Sequence, residues 1–250
     1  MTRAFLVRGM LVGILAGVLS FGFLKLYGEP QVDRAIAFET HLHEAKAAAG
    51  SHHGLKAEEE PELVSRRVQA SIGLFTGVVV YCTAFGGLFG LAFAFAYGRV
   101  DSALTPQGVS VLLAATGFIA IYLIPSLKYP ANPPVVGNAE TIGERTALYF
   151  IMIALSVAAV VVAVALRRFL VPQFGEWNAT LLATASYLIL VAVAGFLLPP
   201  VNEIPDAFPA EVLWKFRIAS IGAQLIMWGA LGLLFGRLTE RTLASVRPRA

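Results

Sequence analysis

The sequence predicts an all-α integral membrane protein. We expect six transmembrane helices arranged as three hairpin repeats, and one long extracytoplasmic loop that contains histidine and glutamate. Of the 250 residues, 57% are hydrophobic and 14% are charged, whereas a soluble domain has about 25% charged residues. Five stretches contain no Asp, Glu, Lys, Arg or His, and each can cross the roughly 30 Å hydrocarbon layer as a helix. They are residues 72–97, 102–127, 146–166, 177–202 and 218–236.

A shorter apolar run, residues 9–24, supplies the sixth span. It follows Arg3 and Arg8 as a signal-peptide core would, but no small-x-small cleavage site closes it, so we predict a retained first helix. Glycines recur in this run at every fourth position, at 9, 13 and 17, which indicates a close-packing seam. The expected hairpins span residues 4–97, 106–168 and 177–237 of a single membrane domain, 1–250. In detail, helix four is expected to stop at Arg167 and Arg168, and helix six at about residue 235.

The positive charges predict the orientation of the chain. With both termini in the cytoplasm, nine lysines and arginines lie on the cytoplasmic side and four lie in the short loops opposite. Cytoplasmic loops carry such an excess, and long loops such as 27–69 are left out of the comparison. We therefore expect cytoplasmic termini and an extracytoplasmic segment 27–69. The net charge of +3 reflects arginines at helix ends and does not indicate a surface for nucleic acid.

All four histidines lie in that outer segment, among carboxylates. Imidazole nitrogen together with carboxylate oxygen suits a borderline divalent metal such as cobalt or nickel. An extended chain would place His41 and His43 on one face, whereas a helix would set them about 200° apart. We therefore predict a short amphipathic helix over 32–38 and, after it, a loop that is loosely ordered without metal, in which an extended segment would let His41 and His43 bind one ion. The bland alternative is a partly helical loop with solvated histidines. The candidate metal ligands are His41, His43, His52, His53, Glu39 and Glu44.

An internal repeat nominates a second set of residues. A shift of 75 residues superposes Pro125, Lys128, Pro130 and Pro134 on Pro200, Glu203, Pro205 and Pro209. A looser match places Arg67, Arg145 and Arg217 at the starts of the three even-numbered helices. Repeated bundles often place the substrate path at the repeat interface, although prolines and arginines are common at any helix end. The candidates for a transport path at the outer helix ends are Glu29, Glu203, Lys128, Asn132 and Asn202.

Over nearly its whole length the chain resembles the CbtA family of predicted bacterial cobalt transporter subunits. The resemblance is carried by the amino-terminal hydrophobic helix, residues 28–39, the histidine-bearing loop, residues 62–69 with 73–77, and the proline-rich corners at 124–134 and 199–209. The resemblance implies cobalt uptake supplying cobalamin synthesis in the bacterial cytoplasmic (inner) membrane. It also implies a small histidine-containing partner of the CbtB type. The family is usually described with five spans, whereas the charge-free runs predict six.

Other function classes fit the sequence less well. The spans contain no histidine for a bis-histidine haem, and the single cysteine, Cys82, falls within a span, where packing is its expected role. No Gly-x-x-x-x-Gly-Lys-Ser/Thr motif is present, so the energy must come from an ion gradient, the membrane potential or another protein. We therefore expect no enzymatic activity and no fixed cofactor, with Co²⁺ as the substrate. Uptake of nickel or another divalent metal, a non-transporting metal-binding accessory protein, and assembly as a homo-oligomer remain open alternatives.

Overall fold

The structure, a computed structural model, describes residues 1–48, 64–99, 104–134, 136–138 and 140–246. These residues form helices and connecting segments and contain no strand. The helices are α1 (Thr2–Tyr27), α2 (Glu29–Ala48), α3 (Arg66–Ala96), α4 (Pro106–Lys128), α5 (Ile142–Leu197), α6 (Ala210–Ala230) and α7 (Gly236–Val246). A π-helical turn lies within α3 (Gln69–Gly73), within α4 (Phe118–Leu123) and between α6 and α7 (Leu231–Phe235).

Five helical segments in the described part of the chain are long and apolar enough to cross a membrane. They are α1, α3, α4, α5 and the continuous segment Ala210–Ala244. The prediction of a helical membrane protein is therefore confirmed. Helix six was expected to end near residue 235, but the chain continues through the π turn into α7, because residues 236–246 contain no proline to stop it.

Helix α5 contains a sharp turn. Its 56 residues would be about 84 Å long if straight, well beyond the roughly 30 Å of a bilayer core. Gly175 interrupts the helix with φ 74° and ψ 168°, a conformation that glycine adopts readily. Ser156 and Tyr187 lie 31 positions apart, yet their hydroxyl oxygens are 3.0 Å apart, so residues 142–174 and 176–197 fold back on each other. The predicted stop at residues 167 and 168 is wrong, because helical geometry continues to Gly175.

Helix α2 is longer than the sequence analysis predicted. A short helix was expected over 32–38, but the helix extends from Glu29 to Ala48 and includes residues 41 and 43. Leucine, alanine, glutamate and lysine within 39–48 favour helix. Pro30 sits in the first turn, where its missing N–H has no helical acceptor to lose. The expected extended conformation at His41 and His43 is therefore wrong. His52 and His53 lie outside the described residues.

The chain divides into two compact units. The first comprises the described residues of 1–115, 132–136 and 206–250. In it, α1 packs on α3 with almost no space between their backbones: a Cβ atom on Gly9 would overlap the carbonyl oxygen of Gly86, and one on Gly90 would overlap that of Phe5. The predicted glycine seam is confirmed. Cys82 is buried beside it, in agreement with a packing role.

The second unit comprises the described residues of 116–131 and 137–205. Its core forms where the two arms of α5 meet each other and residues 124–129. The buried side chains of this cluster are Tyr129, Leu148, Met152, Ala159, Tyr187 and Val191.

Candidate metal-capture site

Helix α2 presents a histidine and a glutamate to solvent. His41 Nδ1 lies 3.5 Å from Glu44 Oε2, and the two side chains are 80% and 70% exposed. Residues three positions apart share a helix face, so one nitrogen and one oxygen donor point to the same side. Glu39 lies in the same helix and is half-buried. The structure thus brings together two of the six predicted metal ligands.

A partly buried ion pair fixes the start of α2 in the first unit. The guanidinium Nη2 of Arg66, in the first turn of α3, lies 2.6 Å from Glu29 Oε2 and 2.9 Å from Asp33 Oδ1. The Glu29 side chain is only 10% exposed, and a carboxylate in such surroundings needs a cation and hydrogen bonds. Nine residues after Glu29, Phe38 packs edge-on against Phe208 at 5.2 Å between ring centroids. These contacts hold the helix that displays His41.

Glu203 occupies a comparable position in the second unit. Its carboxylate accepts hydrogen bonds from the Thr141 hydroxyl at 2.5 Å and the Asn138 backbone N–H at 2.7 Å. Arg145 Nε lies 3.4 Å from the same group. The Thr141 hydrogen bond, then the Asn138 bond and the Arg145 charge, lower the pKa of Glu203. These contacts tie the proline-rich corner after α5 to the segment that precedes α5.

The remaining path candidates have different surroundings. In the first unit, Asn132 Oδ1 accepts a hydrogen bond of 2.9 Å from Arg217. In the second unit, Lys128 Nζ lies 5.9 Å from the ring centroid of Tyr129, whose hydroxyl donates to the Pro199 carbonyl at 2.9 Å. Burial raises the pKa of Tyr129. Asn202 is exposed.

Three of the five path candidates therefore form a side-chain contact with an arginine. Arg66 binds Glu29, Arg145 binds Glu203, and Arg217 binds Asn132. Sequence reasoning placed arginines at these helix starts but missed that they neutralise the candidate carboxylates, and it chose the exposed Arg67 in place of Arg66. The sequence carries no signal for these pairs, because the burial that makes a carboxylate require a cation is set by the fold.

No group of three or more His, Cys, Asp or Glu side chains in the described ranges is placed to hold a metal ion. The His41 and Glu44 pair accounts for two ligands only. Any further ligand from residues 52 and 53 lies outside the ranges that the structure covers.

The comparisons with known proteins identify the family. The family model described as the probable cobalt transporter subunit (CbtA) matches residues 2–240 of the 250-residue chain. The chain belongs to the CbtA family. Searches of curated proteins and of solved structures found no match. A CbtA family chain with several membrane-length helices is a multi-pass membrane protein of a cobalt transport system.

Proposed function

We propose that this CbtA chain is the membrane subunit of a divalent-metal uptake system that supplies cobalt for cobalamin synthesis. The histidines and carboxylates of its outer segment would capture the ion. The observation that carries the proposal is the exposed His41 and Glu44 pair on a helix anchored by Glu29 and Arg66. A nitrogen and an oxygen donor that face water on a fixed support suit a hydrated Co²⁺ ion.

Two ligands leave most of the coordination shell open. Residues 41 and 43 lie in a helix, where positions two apart are about 200° from each other, so His43 and His41 would not bind one ion together. We propose that His52 or His53 completes the shell with water, because Gly50 and Gly54 beside them relieve steric restrictions on the backbone. Glu39, one turn before His43, is the remaining carboxylate candidate.

The outer helix ends have a different role in this proposal. Glu29 and Glu203 are bound to arginines, so their charges are already balanced and would attract a dication weakly. We assign them to holding the outer surface in shape, together with Asn132. Lys128 and Asn202 would flank the approach to the membrane. Capture therefore depends on the histidine segment.

We further propose six crossings with both termini in the cytoplasm. The proposal is supported by the turn at Gly175, which divides α5 into two arms of about 50 Å and 33 Å. An inside-negative membrane potential would favour entry of the ion by about 2.3 kcal/mol per charge per 100 mV. A small histidine-containing CbtB-type subunit, or a second copy of the chain, would complete the path across the membrane.

The test compares cobalt uptake by cells that express the wild type with uptake by a variant in which His41, His43, His52 and His53 are all alanine. The natural neighbouring genes are kept in both strains, and external cobalt is limiting. We expect the variant to lose most of its uptake at equal membrane abundance. Thr40→Ala is the matched control, because Thr40 is exposed on the same helix and its hydroxyl donates to the Ile36 carbonyl of that helix. Unchanged uptake in the histidine variant would remove the segment from the mechanism.

A further inference from the structure

The interior of the second unit contains hydroxyl groups that pair with each other. Ser156 is completely buried and Tyr187 is 9% exposed, and their oxygens are 3.0 Å apart. Ser156 lies about 21 Å along its arm from residue 142, and Tyr187 about 15 Å from residue 197. In the proposed topology each arm of α5 crosses a layer of about 30 Å. In that topology the pair lies near the middle of the membrane.

This pair differs from other hydroxyls in the spanning helices. Ser20 donates to the carbonyl of Ala223, Ser110 to that of Leu231, and Ser186 to that of Ala183. In all three the acceptor is a main-chain carbonyl, so the hydroxyl is held against a helix backbone. Ser156 and Tyr187 instead bond each other, so their two oxygens converge on one point in the interior.

Two further groups of the same unit extend this polar interior. Met152 is 2% exposed, lies one turn before Ser156 and belongs to the same buried cluster as Tyr187. Tyr149 is partly buried against this cluster, and it lies about 10 Å from Ser156 towards the start of α5. Along the first arm of α5, hydroxyl oxygens therefore occur at Tyr149 and Ser156, with the thioether of Met152 between them.

We propose that Ser156, Tyr187 and Met152 form a mid-membrane binding site for the divalent ion in transit. The inference rests on the proposed transport function and adds a place where the ion is bound within the bilayer. Hydroxyl oxygens replace part of the hydration shell, and neutral ligands bind weakly enough to release the ion again. The thioether is softer than water or carboxylate, so the site favours Co²⁺ over the harder Mn²⁺.

The test uses the full chain in cells with its natural neighbouring genes. Tyr187→Phe and Ser156→Ala each remove one oxygen with little change in volume, and Met152→Leu removes the sulfur. Two quantities are measured: the initial rate of Co²⁺ uptake per molecule in the membrane, and the Mn²⁺ concentration that halves this rate. Ser186→Ala is the matched control, since Ser186 adjoins Tyr187 in sequence and bonds the backbone of its own helix.

We expect the oxygen variants to lower the Co²⁺ rate at least fivefold and Met152→Leu to lower the halving Mn²⁺ concentration at least threefold, with both quantities unchanged in Ser186→Ala. A lower rate with an unchanged Mn²⁺ sensitivity in all three variants would show a purely structural role and overturn the site. Unchanged rates in the oxygen variants would overturn it as well. An absence of Co²⁺ uptake by the wild type itself would instead reject the transport function.

Discussion

The guanidinium of Arg66 lies 2.6 Å from the carboxylate of Glu29 and joins the first turn of α3 to the first turn of α2. Arg66 also reaches Asp33, one turn further along α2. One side chain of a membrane-length helix therefore contributes to fixing the position of α2. The conformation of α2 and that of α3 are coupled through this contact.

Replacing Glu29 with glutamine should destabilise the protein. The variant removes a charge that is 10% exposed and leaves Arg66 without its closest counterion, so we expect a loss of about 1–3 kcal/mol in the free energy of unfolding. Thermal unfolding of the purified protein in detergent measures it. Glu211→Gln is the control, because Glu211 pairs with Lys215 on an exposed surface and its loss should be small. Equal losses in the two variants would contradict an anchoring role for Glu29.

The stability of the second unit should depend on the ionisation of Glu203. Its pKa in the folded protein is below the ordinary value of 4.5, so the ionised form stabilises the fold above about pH 4.5. This contribution is lost as the pH falls through the lower, folded-state value. Unfolding curves of the wild type and of Glu203→Gln should therefore differ at pH 6 and converge in stronger acid. A difference that is constant from pH 6 to pH 3 would mean that the carboxylate charge is not responsible.

The glycine seam between α1 and α3 gives a second stability test. A Cβ atom on Gly9 would overlap the carbonyl oxygen of Gly86, whereas one on Gly77 would meet nothing within 4 Å. We expect Gly9→Ala to destabilise the protein by about 1–3 kcal/mol through overpacking. Gly77→Ala should be neutral or slightly stabilising, because alanine favours helix. Similar effects of the two substitutions on thermal unfolding would mean that helix packing does not limit stability here.

The turn in α5 depends on one residue. Gly175 has φ 74°, which costs an L-residue roughly 1–2 kcal/mol. Gly175→Ala should therefore lower the unfolding temperature, while Gly195→Ala, at a helical position with open space around it, should not. If Gly175→Ala leaves the unfolding temperature unchanged, the chain does not require the positive φ at this position.

Much of the fold was predictable because membrane helices follow local rules. Charge-free runs located the five helical segments of membrane length, and four-residue spacing identified the seam of α1. Contacts that join distant positions were not predictable: no pattern links residue 29 to residue 66, which are 37 positions apart. The length of α2 was missed because the histidines suggested metal binding more strongly than the surrounding helix-forming residues suggested a helix. The end of helix four was predicted at Arg167 and Arg168, but the helix continues to Gly175, because glycine readily adopts the positive φ of the turn.

Single cysteines can establish the number of crossings. Ser51→Cys and Ala250→Cys are introduced separately; the native Cys82 is buried and should react slowly with a polar reagent. Six crossings predict that the two positions are labelled from opposite sides of the membrane. Labelling from the same side would mean that α5 crosses once, or that a further crossing exists.

The most direct test of a role in cobalt uptake is to delete the gene that encodes the protein. Cells that lack it, the same cells complemented with the wild type, and the parent strain are compared for initial Co²⁺ accumulation at limiting external cobalt. The account predicts that accumulation falls on deletion and returns on complementation. Accumulation that stays at the parental level without the protein would contradict a transport role.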